Sequence, residues 1–196
     1  MEDAPHRGRP RRAETDEALM HATVTLLREK GPLGVTIEAV ASRSGVARTT
    51  IYRRFDGRRE LIAAAVDPLV DWPLPPVDLP LEAKLRWELD QVADLVEKGL
   101  GRGAIAAIIV DSDPDFTGAL RHALERRLTA LRAQIRSDID AGRVARHVQP
   151  DAVVDLLFGA YLSEVLRHAT PRRRWPDNTV DLLVRALDAR PGAPCP

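Results

Sequence analysis

Cysteine is almost missing from this chain of 196 residues. Cys195 is the only one, set in a Pro- and Gly-rich tail, and a lone terminal thiol supports neither a disulfide framework nor a metal site. Long apolar runs are missing too. The best is Ala104–Val110, well short of the roughly 18 residues that a membrane-crossing helix needs. The first residues are basic and polar, without the apolar stretch of a secretory signal. The expectation is a soluble, cytoplasmic protein with no membrane partner. There is no Gly-rich phosphate loop, and no His, Cys and carboxylate set at metal-binding spacing. No cofactor, metal or enzymatic activity is therefore expected. Asp111, Asp113 and Asp115 alternate as in a calcium loop, but the Gly and closing Glu of that motif are lacking. Pro114 makes helix capping the better reading. No segment stands out with period-two alternation, which points to an all-α fold.

Net charge is zero as well, which at first argues against nucleic acid. The distribution says otherwise: from His6 to Arg59 basic residues clearly outnumber acidic ones, and beyond Leu61 acidic residues hold a slight excess. One basic end on a neutral chain is enough to attract phosphate. The basic residues are overwhelmingly Arg rather than Lys, a coding bias that suggests a GC-rich bacterial genome.

Within the basic end, Thr36 to Phe55 reads as two short helices joined by a tight turn. Thr36 is a good N-cap. Ile37, Val40 and Ala41 form one apolar stripe, and Ala41 is small where two helices must cross closely. Gly45 suits a turn that needs positive φ. Val46 and Ile51 bury the second helix, and Phe55 closes it. Facing outward are Arg48, Thr49, Thr50, Tyr52, Arg53 and Arg54, which carry the donors and reach to touch phosphates and base edges. An ordinary helical hairpin with a solvated basic face is the competing reading of the pattern alone.

The residue order resembles the DNA-binding domain of the TetR family of transcriptional regulators. The matching residues are Gly31, Thr36–Ile37, Val40–Ala41, Gly45–Val46, Thr50–Ile51–Tyr52, Phe55, and Arg58 followed by Leu61. Two positions depart. Ala47 stands where the family usually has Ser, so a helix-start hydroxyl is lost. Arg58 stands where it often has Lys; the charge survives, and Arg58 is expected to hold a phosphate. In the arm, Arg7–Gly8–Arg9–Pro10 resembles an AT-hook. Arg7 and Arg9 would then enter a narrow minor groove, the alternative being a basic tail without groove preference.

A first helix is expected from Thr15 or Asp16 to about Lys30, with Leu19, Ala22, Thr23, Leu26 and Leu27 facing in. A fourth is expected from Asp56 or Gly57 to Trp72. Pro73 to Pro80 is a joint, because four prolines in eight residues cannot sit inside a helix. Helical patterns follow at Leu81–Leu100, in an apolar and therefore buried segment near Arg102–Ser112, at Pro114 to about Ala141, at Pro150–Ala169, and at Asp177–Ala189. The organisation expected is a basic arm (1–13), a helix-turn-helix domain (14–60), a larger helical domain (61–190) and a tail (191–196), with about nine helices in all.

The helix from Pro150 is apolar on too much of its circumference for one core, and so is the last one. The resemblance implies that these two helices form a homodimer interface, with Val154, Phe158, Leu162, Val165, Leu183 and Leu187 as candidates, the alternative being burial within one subunit. It also implies a pocket for a small, mostly apolar effector. Candidate lining comes from Trp87, Gln91, Ile105 and Ile109, then Phe116, Leu120 and Leu124, and finally Leu157 and Tyr161. His122 and His168 read as lone surface or satisfied core histidines, and Arg172–Trp175 as a solvated loop. The function expected is a dimeric repressor of double-stranded operator DNA, released by the effector. The alternative is a ligand-indifferent, nucleoid-type DNA-binding protein.

Overall fold

The inward face read for the first helix is the face that is buried. Leu19, Ala22, Thr23, Leu26 and Leu27 are all inaccessible on α1 (Arg9–Lys30), in a computed structural model that describes residues 9–168 and 170–188. α1 begins well before Thr15. Pro10 lies in its first turn, where a missing N–H costs no helix bond. Arg9 and Pro10 are thus helical rather than extended, which shortens the expected arm. Arg7 and Gly8, and the tail with Cys195, lie outside the described residues.

A 3-10 turn, Pro32–Gly34, leads to α2 (Ile37–Ser44) and α3 (Arg48–Tyr52). α4 (Arg58–Val66) is shorter than expected. It passes into a 3-10 turn, Asp67–Leu69, because Pro68 cannot continue the helix. Residues 73–80 form no helix, as their prolines require. α5 (Leu81–Asp94) widens into a π-helical turn, Leu95–Leu100, where an unbroken α-helix was expected. α6 (Arg102–Val110), α7 (Pro114–Asp140), α8 (Pro150–His168) and α9 (Trp175–Leu187) follow. Asp113 caps α7, its Oδ1 accepting from the Phe116 amide at 3.2 Å. The described residues hold no strand, only one isolated bridge between Val144 and Asp188. No helix among them is long and apolar enough to cross a membrane.

The chain divides into two units. The first takes the residues up to Asp71 together with Leu95–Leu124; the second takes Trp72–Asp94 and the residues from Glu125. In the first unit α1 packs on α2, α4 and α6. α6 is not a buried helix: Ala104 and Ala107 face in, while Ile109 and Val110 are exposed. Small residues make the close contact, and the bulky ones are left outside.

In the second unit α5 packs against α8 and α9. α8 turns Val153, Leu157, Tyr161 and Glu164 inward, and α9 turns Trp175, Val180, Leu183 and Leu187 inward. Leu183 and Leu187 are therefore core residues rather than free for an interface. The apolar groups left outside are Leu166 (73% exposed), Leu182 (69%), Leu156 and Phe158 (37%). Val154, Leu162 and Val165 are half-buried. The spacing showed surplus apolar circumference but not which arc faces α5.

Glu164 is fully enclosed and anchors the loop after α8. Its Oε1 accepts from the Arg172 amide at 3.0 Å and from Arg172 Nε at 2.8 Å, so Arg172 is tied down rather than merely solvated. Hydrogen bonds from the Arg172 side chain, opposed by burial and aided by its amide and charge and by His168, lower the Glu164 carboxyl from 4.5 to about 2. Unfolded chains take up this proton near pH 4.5, and the folded chain only near 2. The stabilisation is complete above the first value and is lost as pH falls towards the second. Thermal unfolding from pH 7 downward should show Glu164→Gln less stable than wild type at neutrality, with the gap closing across that window. A gap that does not change with pH would refute the assignment.

Candidate nucleic-acid interface and effector cavity

The helix pair is locked from beneath. Val35, Ile37, Val40 and Ile51 are buried, and the Thr36 hydroxyl accepts from the Ala39 amide at 3.1 Å, capping α2. Gly45 ends α2 with φ 71°, and its amide donates to Ala41 O at 3.0 Å. The Ser44 hydroxyl accepts from the Val46 amide at 3.2 Å and steadies the turn. α3 opens at Ala47 without a side-chain cap, as the missing hydroxyl requires.

Above this base Thr36, Arg48, Thr49, Tyr52 and Arg53 are exposed, and Thr50 is half-buried. Arg48 lies 3.5 Å from Glu38 on the surface. Such exposed pairs contribute about 0–1 kcal/mol, so Arg48 is readily released to another acceptor. Ser42 and Arg59, which the sequence reading passed over, are also exposed. Arg59 directly follows Arg58 in the first turn of α4.

Arg54 and Arg58 do not join this face. Arg54 Nη1 donates to Asp16 Oδ1 and, at 3.2 Å, to Arg12 O. Arg58 is held by Asp113 and Asp115. Hydrogen bonding to Asp113 raises the Arg58 guanidinium against the opposing effect of burial. Burial pushes the Asp113 carboxyl up, but hydrogen bonds from Arg58 and the Phe116 amide outweigh it, leaving the group below its usual value. Both arginines were expected on phosphate. Their carboxylate partners lie 38 to 57 residues away in sequence, a distance at which local periodicity carries no information. The side chain of Arg9 lies outside what is described.

The second unit contains a cavity of ≈ 30 Å³, room for about one or two waters. Leu85, Leu131, Ile135, Val153 and Leu157 form its apolar wall, with Lys84, Gln134 and Asp138 on the polar side. Gln134 Nε2 donates to Pro75 O at 2.7 Å, while its buried Oε1 has no partner among the described residues. Of the nine effector candidates only Leu157 lines this cavity. Tyr161 is buried edge-on to Trp175, with ring centroids 6.0 Å apart. Trp87 Nε1 donates to Pro73 O at 3.3 Å, and Gln91 is half-buried. Phe116 and Leu120 are core of the first unit, where Ile105 and Leu124 are half-buried and Ile109 is exposed. Inward-facing spacing identified core and not cavity wall.

Sequence profiles decide the family. One described as "Bacterial regulatory proteins, tetR family" matches residues 19–65, and one described as "Tetracyclin repressor-like, C-terminal domain" matches residues 79–185. The chain belongs to the TetR family. It is a transcriptional regulator with a DNA-binding helix-turn-helix, in a family of regulators and not of enzymes. The first TetR-family match spans the buried face of α1 through α4, and the second spans α5 to the last turn of α9. An uncharacterized HTH-type transcriptional regulator of Mycobacterium tuberculosis is 28% identical over 172 residues, 85% of this chain and 82% of that one. An HTH-type transcriptional repressor of the same species is 28% identical over 165 residues, 81% and 79% respectively. Among solved structures, the regulator FadR of Bacillus subtilis in complex with stearoyl-CoA shares the fold. Its TM-score is 0.64 at 15% identity, covering 86% of this chain and 97% of that one.

Proposed function

We propose that this TetR-family protein is a homodimeric cytoplasmic repressor. It reads a pseudo-palindromic operator with Arg48, Thr49, Tyr52 and Arg53 and is released by a small, largely apolar effector. The observation that carries the reading is the exposed donor face of α3 above a rigid apolar underside at Ile51. Thr36, Thr50 and Arg59 lie at its margins as candidate phosphate contacts, and Arg7 and Arg9 would extend the footprint. Two copies, with recognition helices about one DNA turn apart, would bind both half-sites together. The repressor among its relatives and the acyl-CoA complex of FadR support repression and effector control.

A second reading, a ligand-indifferent dimeric DNA-binding protein, is favoured by the ≈ 30 Å³ cavity, which must enlarge to admit an effector. A small molecule that weakens operator binding would exclude it.

The test is a mobility-shift titration against the protein's own upstream DNA. Arg48→Ala and Tyr52→Ala should each weaken specific binding by about tenfold, the scale of one good base or phosphate contact, with helix content unchanged. No specific shift at moderate salt, or wild-type affinity in both variants, would refute the reading.

A further inference from the structure

Arg58 opens α4, and all five of its N–H groups are engaged inside the first unit. Nε donates to Val35 O at 2.6 Å. Nη1 donates to Asp113 Oδ1 and Asp115 Oδ2, both at 3.1 Å. Nη2 donates to Pro32 O at 2.9 Å and to Asp113 Oδ2. A guanidinium has five donors in a fixed planar fork, so none is left for phosphate.

The acceptors belong to two segments. Pro32 and Val35 form the turn immediately before Thr36, the cap of α2. Asp113 and Asp115 form the start of α7, where Asp113, with a side chain 3% exposed, also caps the helix through the Phe116 amide. One guanidinium therefore ties the entrance of α2, the entrance of α4 and the entrance of α7 together. α2 in turn sets α3 through the Gly45 turn and the buried contacts of Val40 and Ile51. A bidentate, half-enclosed fork tolerates little displacement, because hydrogen bonds weaken steeply with distance and angle.

We propose that Arg58 is a positioning residue, which sets operator affinity by holding the α2–α3 pair against the first turn of α7 through Asp113, without itself touching DNA. The proposal rests on the reading of α2–α3 as the operator-binding pair. It makes the start of α7, a helix of 27 residues, the place where any displacement is felt by the reading helices. Lysine cannot substitute. It carries the same charge but only three donors on a single point, and cannot hold two carbonyls and two carboxylates at once.

Charge arithmetic and positioning make opposite predictions for Asp113→Asn. Removing a negative charge from a DNA-binding unit should strengthen binding if only the overall field matters. Positioning requires binding to weaken, and Asn still caps α7. Full-length wild type, Asp113→Asn, Arg58→Lys and the double variant are titrated against operator DNA at several salt concentrations, with Arg53→Ala as the reference for a direct contact. Asp113→Asn and Arg58→Lys should each weaken binding about tenfold, within the usual range of coupling between sites. The double variant should be no weaker than either single one, as expected of partners in one interaction. The slope of log affinity against log salt should stay at the wild-type value in all three, whereas loss of a real phosphate contact flattens it by about 0.9.

Amide hydrogen exchange supplies a readout that needs no DNA. α2 amides should exchange faster in Asp113→Asn, while those of α8 and α9 stay unchanged. Asp113→Asn binding as tightly as wild type or tighter, Arg58→Lys behaving as wild type, or unaltered α2 exchange would each overturn the proposal. A wild type without any specific operator would instead refute the underlying reading, and the exchange measurement would still decide whether Arg58 braces α2.

Discussion

Phe158→Glu combined with Leu166→Glu is expected to leave the protein monomeric and to weaken operator binding by about a hundredfold or more, the gain that linking two half-site contacts provides. Leu166 and Phe158 stand on the outer arc of α8, and Leu182 stands on α9, with the half-buried Val154, Leu162 and Val165 beside them. Burying a leucine or phenylalanine contributes about 1.5–3 kcal/mol. A twofold interface uses each residue twice, so a small patch counts double. In the proposed twofold interface, two glutamates on that arc would add like-charge repulsion to lost apolar contact. Leu166 is largely in water already, whereas Phe158 is only 37% exposed, so the single chain loses part of the Phe158 packing while keeping its helix content. Sedimentation and operator titration on the same sample make the check. A variant that stays dimeric with undiminished affinity would place the interface elsewhere.

Asp138→Ala should destabilise the second unit more than any other single change named here. Lys84 Nζ donates to both Asp138 oxygens at 2.9 Å, and both side chains are nearly inaccessible. Arg143 reaches Asp138 from the more exposed side, with Nη2 at 2.7 Å from Oδ1. Removing the carboxylate leaves the Lys84 ammonium buried without its partner, a loss of about 3–5 kcal/mol where one member of a buried pair is deleted. Lys84→Met is milder, because Asp138 keeps Arg143. Joining Lys84→Met to Asp138→Leu should recover most of the loss, since apolar pairs often replace buried ion pairs without cost. Denaturant unfolding reads this directly. A loss below about 1 kcal/mol, the level of a surface pair, would mean that Lys84 finds water or another acceptor.

These ion pairs also mark where the sequence stops being legible. Spacing located the inward face of α1, and local chemistry located the Thr36 cap, the Gly45 turn and the Asp113 cap, because each depends on residues within one or two turns. Lys84 and Glu88 gave no such signal. Both lie on α5 as ordinary polar residues, yet both are buried, paired with Asp138 and with Arg127, which sits 2.7 Å from Glu88 Oε1. Arg58 was misread for the same reason: its charge and its place at the head of α4 were visible, but the carboxylates that take it were not. Leu182 and Leu183 differ by a single step of 100° around α9, and only the packing of α5 decides which of them is core. Helices, caps and turns are local decisions. The assignment of an apolar arc or a cation to core, partner or ligand is made by another segment.

Two glycines in the first unit show how differently a backbone position can be constrained. At Gly101, with φ 78°, a Cβ would stand 3.0 Å from the Arg28 backbone, so both space and torsion disfavour a side chain. At Gly45, with φ 71°, a Cβ would meet nothing within 4 Å. The turn of the reading motif is therefore restricted by its backbone torsion alone, and among natural residues the nearest in tolerance to Gly is Asn, which enters the left-handed region most readily.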